Sequence, residues 1–116
     1  MTARLLLSAS FVAALAGGAL AHHGWGEYDA TKVFTISSPL EQVSPGNPHV
    51  TVAVKHGGRT WTAVLAPTSR MNARGLPPES LKPGLAVQLE GYPAKNGVAE
   101  MRAERITVAG KTTELR

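Results

Sequence analysis

The stretch His49-Val50-Thr51-Val52-Ala53-Val54-Lys55 alternates strictly, with three valines on one face, and then runs into Gly57-Gly58. A helix cannot gather those valines on one side, because their period is two and not 3.6. Two consecutive glycines supply the positive-φ pair that a tight hairpin turn needs, so the chain reverses there. Arg59 to Ala66 is the returning strand, with Trp61, Ala63 and Leu65 on a common face. An antiparallel hairpin with one apolar face has to be covered by more sheet, and the rest of the sequence supplies it.

Upstream, Phe34, Ile36 and Leu40 share one parity in a first strand from about Thr31 to Val43, interrupted by Ser37-Ser38-Pro39. Ser44-Pro45-Gly46-Asn47-Pro48 is dense turn chemistry. Downstream, Thr68 or Ser69 is suited to cap a short helix through Arg74, with Gly75 as its stop. Pro77-Pro78-Glu79-Ser80-Leu81 reads as one more helical turn. Leu85, Val87 and Leu89 then alternate against Gln88 and Glu90 in a fourth strand, and Asn96-Gly97 is a strong hairpin signal. The fifth strand, from about Ala99 to Val108, switches its apolar parity from Met101 and Ala103 to Ile106 and Val108. That switch predicts a bulge near Glu104-Arg105. Ala109-Gly110 turns the chain into a short tail, Lys111 to Leu115.

Three strands, a short helix and two strands is the order of a small five-stranded OB-like barrel. The fold class expected is therefore all-β, with one short helix between strands 3 and 4. Closure removes the exposed edges of so small an antiparallel sheet. An open β-sandwich is the alternative.

The first residues belong to something else. Arg4 precedes an apolar run from Leu5 to Leu15, and Ala19-Leu20-Ala21 is the small-x-small pattern that signal peptidase reads. Gly17-Gly18 and that tripeptide weaken the competing reading as a membrane anchor, which needs ~20 apolar residues. Residues 1–21 are thus expected to be a signal peptide, 22–30 an N-terminal lead, and 31–116 the barrel domain. The expected location is the periplasm, with no membrane span left after cleavage. The chain has no cysteine, which rules out lipid attachment through one and leaves the fold without disulfides. A domain this small then closes on packing and hydrogen bonds alone.

Charge argues against nucleic acid. The full chain carries a net +4, and the basic residues are scattered, with Glu90, Glu100, Glu104 and Glu114 interleaved among them. A nucleic-acid footprint clusters on one face. Enzyme signatures are also missing: there is no cysteine nucleophile, no Gly-x-Ser-x-Gly elbow and no His-Glu-x-x-His helix. A copper oxidase built on an N-terminal histidine is conceivable, but so short a chain with few aromatics leaves little room for a shaped substrate surface. The chain is read as a non-enzyme.

Several motifs occur together and in order: His22-His23-Gly24-Trp25 with Tyr28-Asp29, Asn47-Pro48-His49-Val50, Leu81-Lys82-Pro83-Gly84, Gly91-Tyr92-Pro93, and Met101-Arg102-Ala103-Glu104-Arg105-Ile106. In these the chain resembles a family of small exported bacterial proteins known only as a domain of unknown function, DUF6152. The resemblance implies export and a single domain of about this size, and it implies no activity.

Function then rests on the histidines. Cleavage after Ala21 would free the α-amino group of His22, which with its own ring offers two nitrogens in one chelate. One more imidazole gives three nitrogens in a plane, the arrangement that Cu(II) favours. His49 is the natural third donor, because Asn47-Pro48 fixes the turn before it and its parity sets it opposite the valine face. His23 is an auxiliary or competing ligand. If Ala21 were retained, Ala21-His22-His23 would be another Cu(II) chelate, using backbone nitrogens. Copper is preferred to zinc, since no cysteine or tight carboxylate set completes a tetrahedral site. The expected metal site is therefore His22, His23 and His49, and the expected partner is a protein that donates or accepts copper. Trp25 and Tyr28 are expected to anchor the lead to the barrel, and Glu27 and Asp29 are near enough in sequence to support a ligating imidazole. Met71 and Met101 are soft donors that also fit ordinary core positions, the reading preferred here, and His56 reads as an exposed loop residue.

The bland reading is that two histidines between a leader and a glycine form a solvated end, and that His49 is an ordinary strand residue. The chain would then be an envelope binding module for a glycan, a peptide or a protein. Its ligand would lie on the face of strands 2 and 3 that carries His49, Thr51, Lys55, Thr60 and Thr62, where the dispersed aromatics Trp25, Tyr28 and Tyr92 give no stacking platform.

Overall fold

A computed structural model describes residues 24–46 and 48–116. The expected signal peptide, His22, His23 and Asn47 lie outside the described residues. The described chain is mostly β: β1 (Phe34–Pro39), β2 (Gln42–Ser44), β3 (His49–His56), β4 (Arg59–Pro67), β5 (Ala86–Pro93), β6 (Glu100–Val108) and β7 (Lys111–Glu114). One short helix, α1 (Thr68–Ala73), follows β4, and single 3-10 turns occupy Trp25–Glu27 and Pro78–Ser80. The strands form one curled sheet, a half-barrel, in the order β1-β5-β6-β4-β3-β2, with β7 added against β6.

Seven strands replace the five expected from the sequence, and two local causes account for the difference. The first is a corner. Leu40 donates its backbone N–H to Leu85 O, whereas the next residue, Glu41, donates to Ala53 O. Pro39, which has no N–H, ends the run that pairs with β5, and Gln42 begins the run that pairs with β3. One expected strand is thus divided between two neighbours, becoming β1 and β2. The second cause is the tail. Ala109 and Gly110 both take positive φ, 51° and 81°, and so fold Lys111–Glu114 back onto Arg105–Val108 as β7.

The remaining punctuation follows the sequence. Gly57 and Gly58 have φ of 59° and 78°, turning β3 into β4 with His56 opposite Arg59. Asn96-Gly97 joins β5 to β6, with Gly97 at φ 87° and Val98 N–H donating to Asn96 Oδ1 at 3.1 Å. In β6 the register skips one residue, since Glu90 faces Arg105 and Gly91 faces Ala103. Glu104 is therefore the extra residue of the expected bulge, and its carbonyl accepts from Leu115 N–H. The helix cap is a correction: the cap position before α1 is Pro67, with φ −63° and no side-chain cap bond, so Thr68 and Ser69 lie inside the first turn. A proline preset in φ starts the helix without one.

β6 organises the sheet. On one edge it carries β5, and on the other it is shared: Glu100–Arg102 pair in parallel with Thr62–Val64 of β4, and Arg105–Val108 pair with β7. The inner face collects Ile36, Leu40, Val50, Val52, Val54, Leu65, Leu89, Met101 and Ile106, with Met71 of α1 and Leu115 closing it. Met71 and Met101 are both fully buried, so they pack as core residues.

Candidate functional site

His49 opens β3 and is half-buried, on the face opposite buried Val50, Val52 and Val54. Its Nε2 lies 3.3 Å from Nη2 of Arg102 in β6. A guanidinium carries only donors, so Arg102 donates and the imidazole nitrogen accepts. In this contact the lone pair of His49 Nε2 faces the guanidinium.

Arg102 is the residue the sequence reading missed. Its parity is opposite to that of Met101 and Ala103, so it points away from the barrel core, yet only 3% of it is exposed. The N-terminal lead covers it. The Arg102 guanidinium sits 4.3 Å from the centre of the Trp25 ring, and burial, ahead of the charges of neighbouring arginines, makes its proton easier to lose than usual. Arg116 lies over the same ring, also at 4.3 Å. The edge of Trp25 meets Tyr92 at a 6.0 Å centroid separation and 72°. The aromatics are therefore not all dispersed: Trp25 and Tyr92 meet, with two guanidiniums over the indole.

Hydrogen bonds fix this arrangement. Asp29 N–H donates to Pro93 O and Lys95 N–H to Glu27 O, which ties the lead along the β5–β6 hairpin. Tyr28, 2% exposed, donates its hydroxyl to Glu100 Oε2 at 2.5 Å. Burial first, and that bond second, push the Tyr28 phenol well above its ordinary range. Tyr92 donates to Glu104 Oε1 at 2.9 Å, which raises its phenol too. Glu104 also faces Arg116 at 3.5 Å. The bulge at Glu104 thus presents its carboxylate to Tyr92 and Arg116, two of the three residues that touch the indole.

Trp25 and Tyr28 anchor the lead, as expected. Asp29 does other work: its Oδ1 accepts from Thr31 N–H at 3.0 Å and Thr31 Oγ1 at 2.6 Å, forming a turn. Those bonds hold its carboxyl below the usual range. Among the described residues no group of three or more His, Asp or Glu side chains is arranged to hold a metal. His49 is the one expected ligand within the described residues; His22 and His23 precede Gly24, outside them.

A second aromatic group lies at the hairpin end of β3 and β4. Phe34, His56 and Trp61 contact one another at 5.2 to 5.8 Å between ring centres, with Arg59 5.6 Å from the Trp61 ring. His56 is exposed but ends a strand and packs on two rings, so the expectation of a simple loop residue is corrected.

The chain matches the model of a family of unknown function, DUF6152, over residues 9–103. It belongs to that family. The match takes in His49, Trp25, Tyr92 and Arg102, and stops short of Glu104 and Arg116. No curated protein matches the chain. Among the described residues, no helix is long and apolar enough to cross a membrane.

Proposed function

We propose that this DUF6152 member is an exported, periplasmic, OB-like domain that binds copper at its mature N-terminus as a carrier or buffer. His22 would supply its amine and imidazole, His49 the opposing imidazole, and His23 an auxiliary donor. The observation that carries the reading is the chain of contacts from His49 through Arg102 to Trp25. Trp25 is three residues after His22, a tether of at most about 11 Å, and its indole is docked beside the guanidinium that bonds His49. A lone pair on His49 Nε2 is also the state that a metal requires of an imidazole. The OB-like assignment is supported by the parallel β4–β6 pairing and by a helix between β4 and β5.

Cu(II) titration of mass-verified mature protein beginning at His22 tests the reading against His49→Ala. One-to-one binding that weakens at least tenfold in the variant supports it, and equal affinities in the two proteins would overturn it.

The second reading, an envelope module that binds a glycan, peptide or protein, is favoured by the Phe34–His56–Trp61 group, whose rings lie at the hairpin end away from His49. Function retained in a chain lacking His22 and His23 would select it over copper handling.

A further inference from the structure

We propose that the barrel end carrying Phe34, His56 and Trp61 docks on an anionic lipid surface; the inference is independent of the copper reading and uses none of its residues. Strand register brings several segments to that end. Phe34 opens β1 opposite Gly91, near the close of β5, and His56 faces Arg59 across the β3–β4 turn. Thr62 pairs with Glu100 at the start of β6 and donates its N–H to Ala99 O, so Val98 also lies at this end. Val33, just before β1, and Val98 are the exposed large hydrophobic residues among those described, at 53% and 50%. Both therefore stand at the end where Phe34 and Trp61 pack on the core.

The charge there is mainly positive. Lys32, Lys55, Arg59 and Lys95 are exposed, with Arg59 over the Trp61 ring. No Asp or Glu occurs from residue 42 to residue 78, the span that holds the whole β3–β4 hairpin. The carboxylates of this end lie on the side of the lead. Asp29 bonds Thr31 and faces Lys32, Glu100 accepts from Tyr28, and Glu27 is exposed beside Lys95, whose N–H its carbonyl binds. Valine side chains offer a soluble glycan no hydrogen bond. A headgroup–acyl boundary takes up exposed aliphatics, a tryptophan at their margin and surrounding basic side chains together. Each Lys or Arg close to an anionic bilayer raises partitioning about fivefold.

The test is co-sedimentation of the protein beginning at His22 with vesicles of equal parts phosphatidylcholine and phosphatidylglycerol, beside vesicles of phosphatidylcholine alone. Binding to the charged vesicles should exceed binding to the neutral ones about tenfold or more and weaken as salt is raised. Lys55→Gln with Arg59→Gln, checked for folding by circular dichroism, should weaken it about tenfold or more. Val33→Ser with Val98→Ser should weaken it roughly threefold or more, because the aliphatic contact is lost. Lys82 precedes β5 and Lys111 opens β7, both away from this end. Lys82→Gln with Lys111→Gln removes the same charge there and should change binding by no more than about threefold. Failure of the unaltered protein to bind charged vesicles would overturn the inference without any variant. Equal losses in the two charge pairs would overturn it too, since position would then not matter. Dextran sulfate bound as tightly as the vesicles, with the valine pair without effect, would show a site for a soluble polyanion instead. None of these outcomes depends on copper.

Discussion

Gly91 of β5 lies against the backbone of Arg102 so closely that a β-carbon on it would sit 2.0 Å from the Arg102 carbonyl oxygen and 2.8 Å from Ala103 Cα. The contact occurs where the β6 bulge changes register. It joins fold to site, because the residue whose carbonyl Gly91 approaches is the one whose guanidinium reaches His49. Gly91→Ala should therefore destabilise the domain by about 2–3 kcal/mol through overpacking against main chain. Thermal unfolding should register a drop of roughly 10 °C or more, and an unchanged midpoint would mean that the approach is not as close as described.

Ala109 is the converse case. It is the sole non-glycine with positive φ among the described residues, in a two-residue turn before Gly110, where asparagine is the favoured partner. Ala109→Asn should relieve about 1 kcal/mol of backbone cost and raise the melting midpoint by several degrees. A neutral or lower midpoint would contradict the turn geometry.

The docking of the lead can be tested through Trp25. Two guanidiniums and Tyr92 surround its ring, and each cation–π contact is worth about 0.5–2 kcal/mol. Trp25→Ala should lower stability by about 2 kcal/mol and open the chain to protease before Tyr28. Cleavage no faster than in the parent protein would argue against the dock.

Both tyrosines of the chain hold their protons more tightly when folded. A phenol raised above its ordinary value of 10.0 contributes stability that is full below that pH and is lost as pH climbs past it. Stability should fall steeply in the alkaline range, and Tyr28→Phe should flatten that limb while costing about 1 kcal/mol at neutral pH for the lost bond to Glu100. An alkaline limb identical in the variant would show that Tyr28 is not its source.

The turns were legible in the sequence because their chemistry is local. Gly57-Gly58, Asn96-Gly97 and the parity switch at Glu104 each report a backbone event within a few residues. The division of the first strand at Pro39 to Glu41 was not, since it depends on which distant strands, β5 and β3, receive successive N–H groups. The tail became β7 for a similar reason: Lys111–Glu114 occupies the edge of β6 that β4 has left. Arg102 was hidden more completely. Its outward parity marks a surface residue, and only the fold-back of the lead, which brings Trp25 against a residue far along the chain, buries it. His49 was found because its parity and the turn before it are local signals, whereas its bond to Arg102 spans 53 residues.

The central claim is that copper is held by an N-terminus of exact composition. The most direct measurement is electron paramagnetic resonance of one equivalent of Cu(II) on secreted, mass-verified protein beginning at His22, beside the same protein with one glycine added before it. The account predicts a tetragonal, nitrogen-rich spectrum with tight binding that the added glycine abolishes. Weak binding with a spectrum indifferent to the glycine would contradict it.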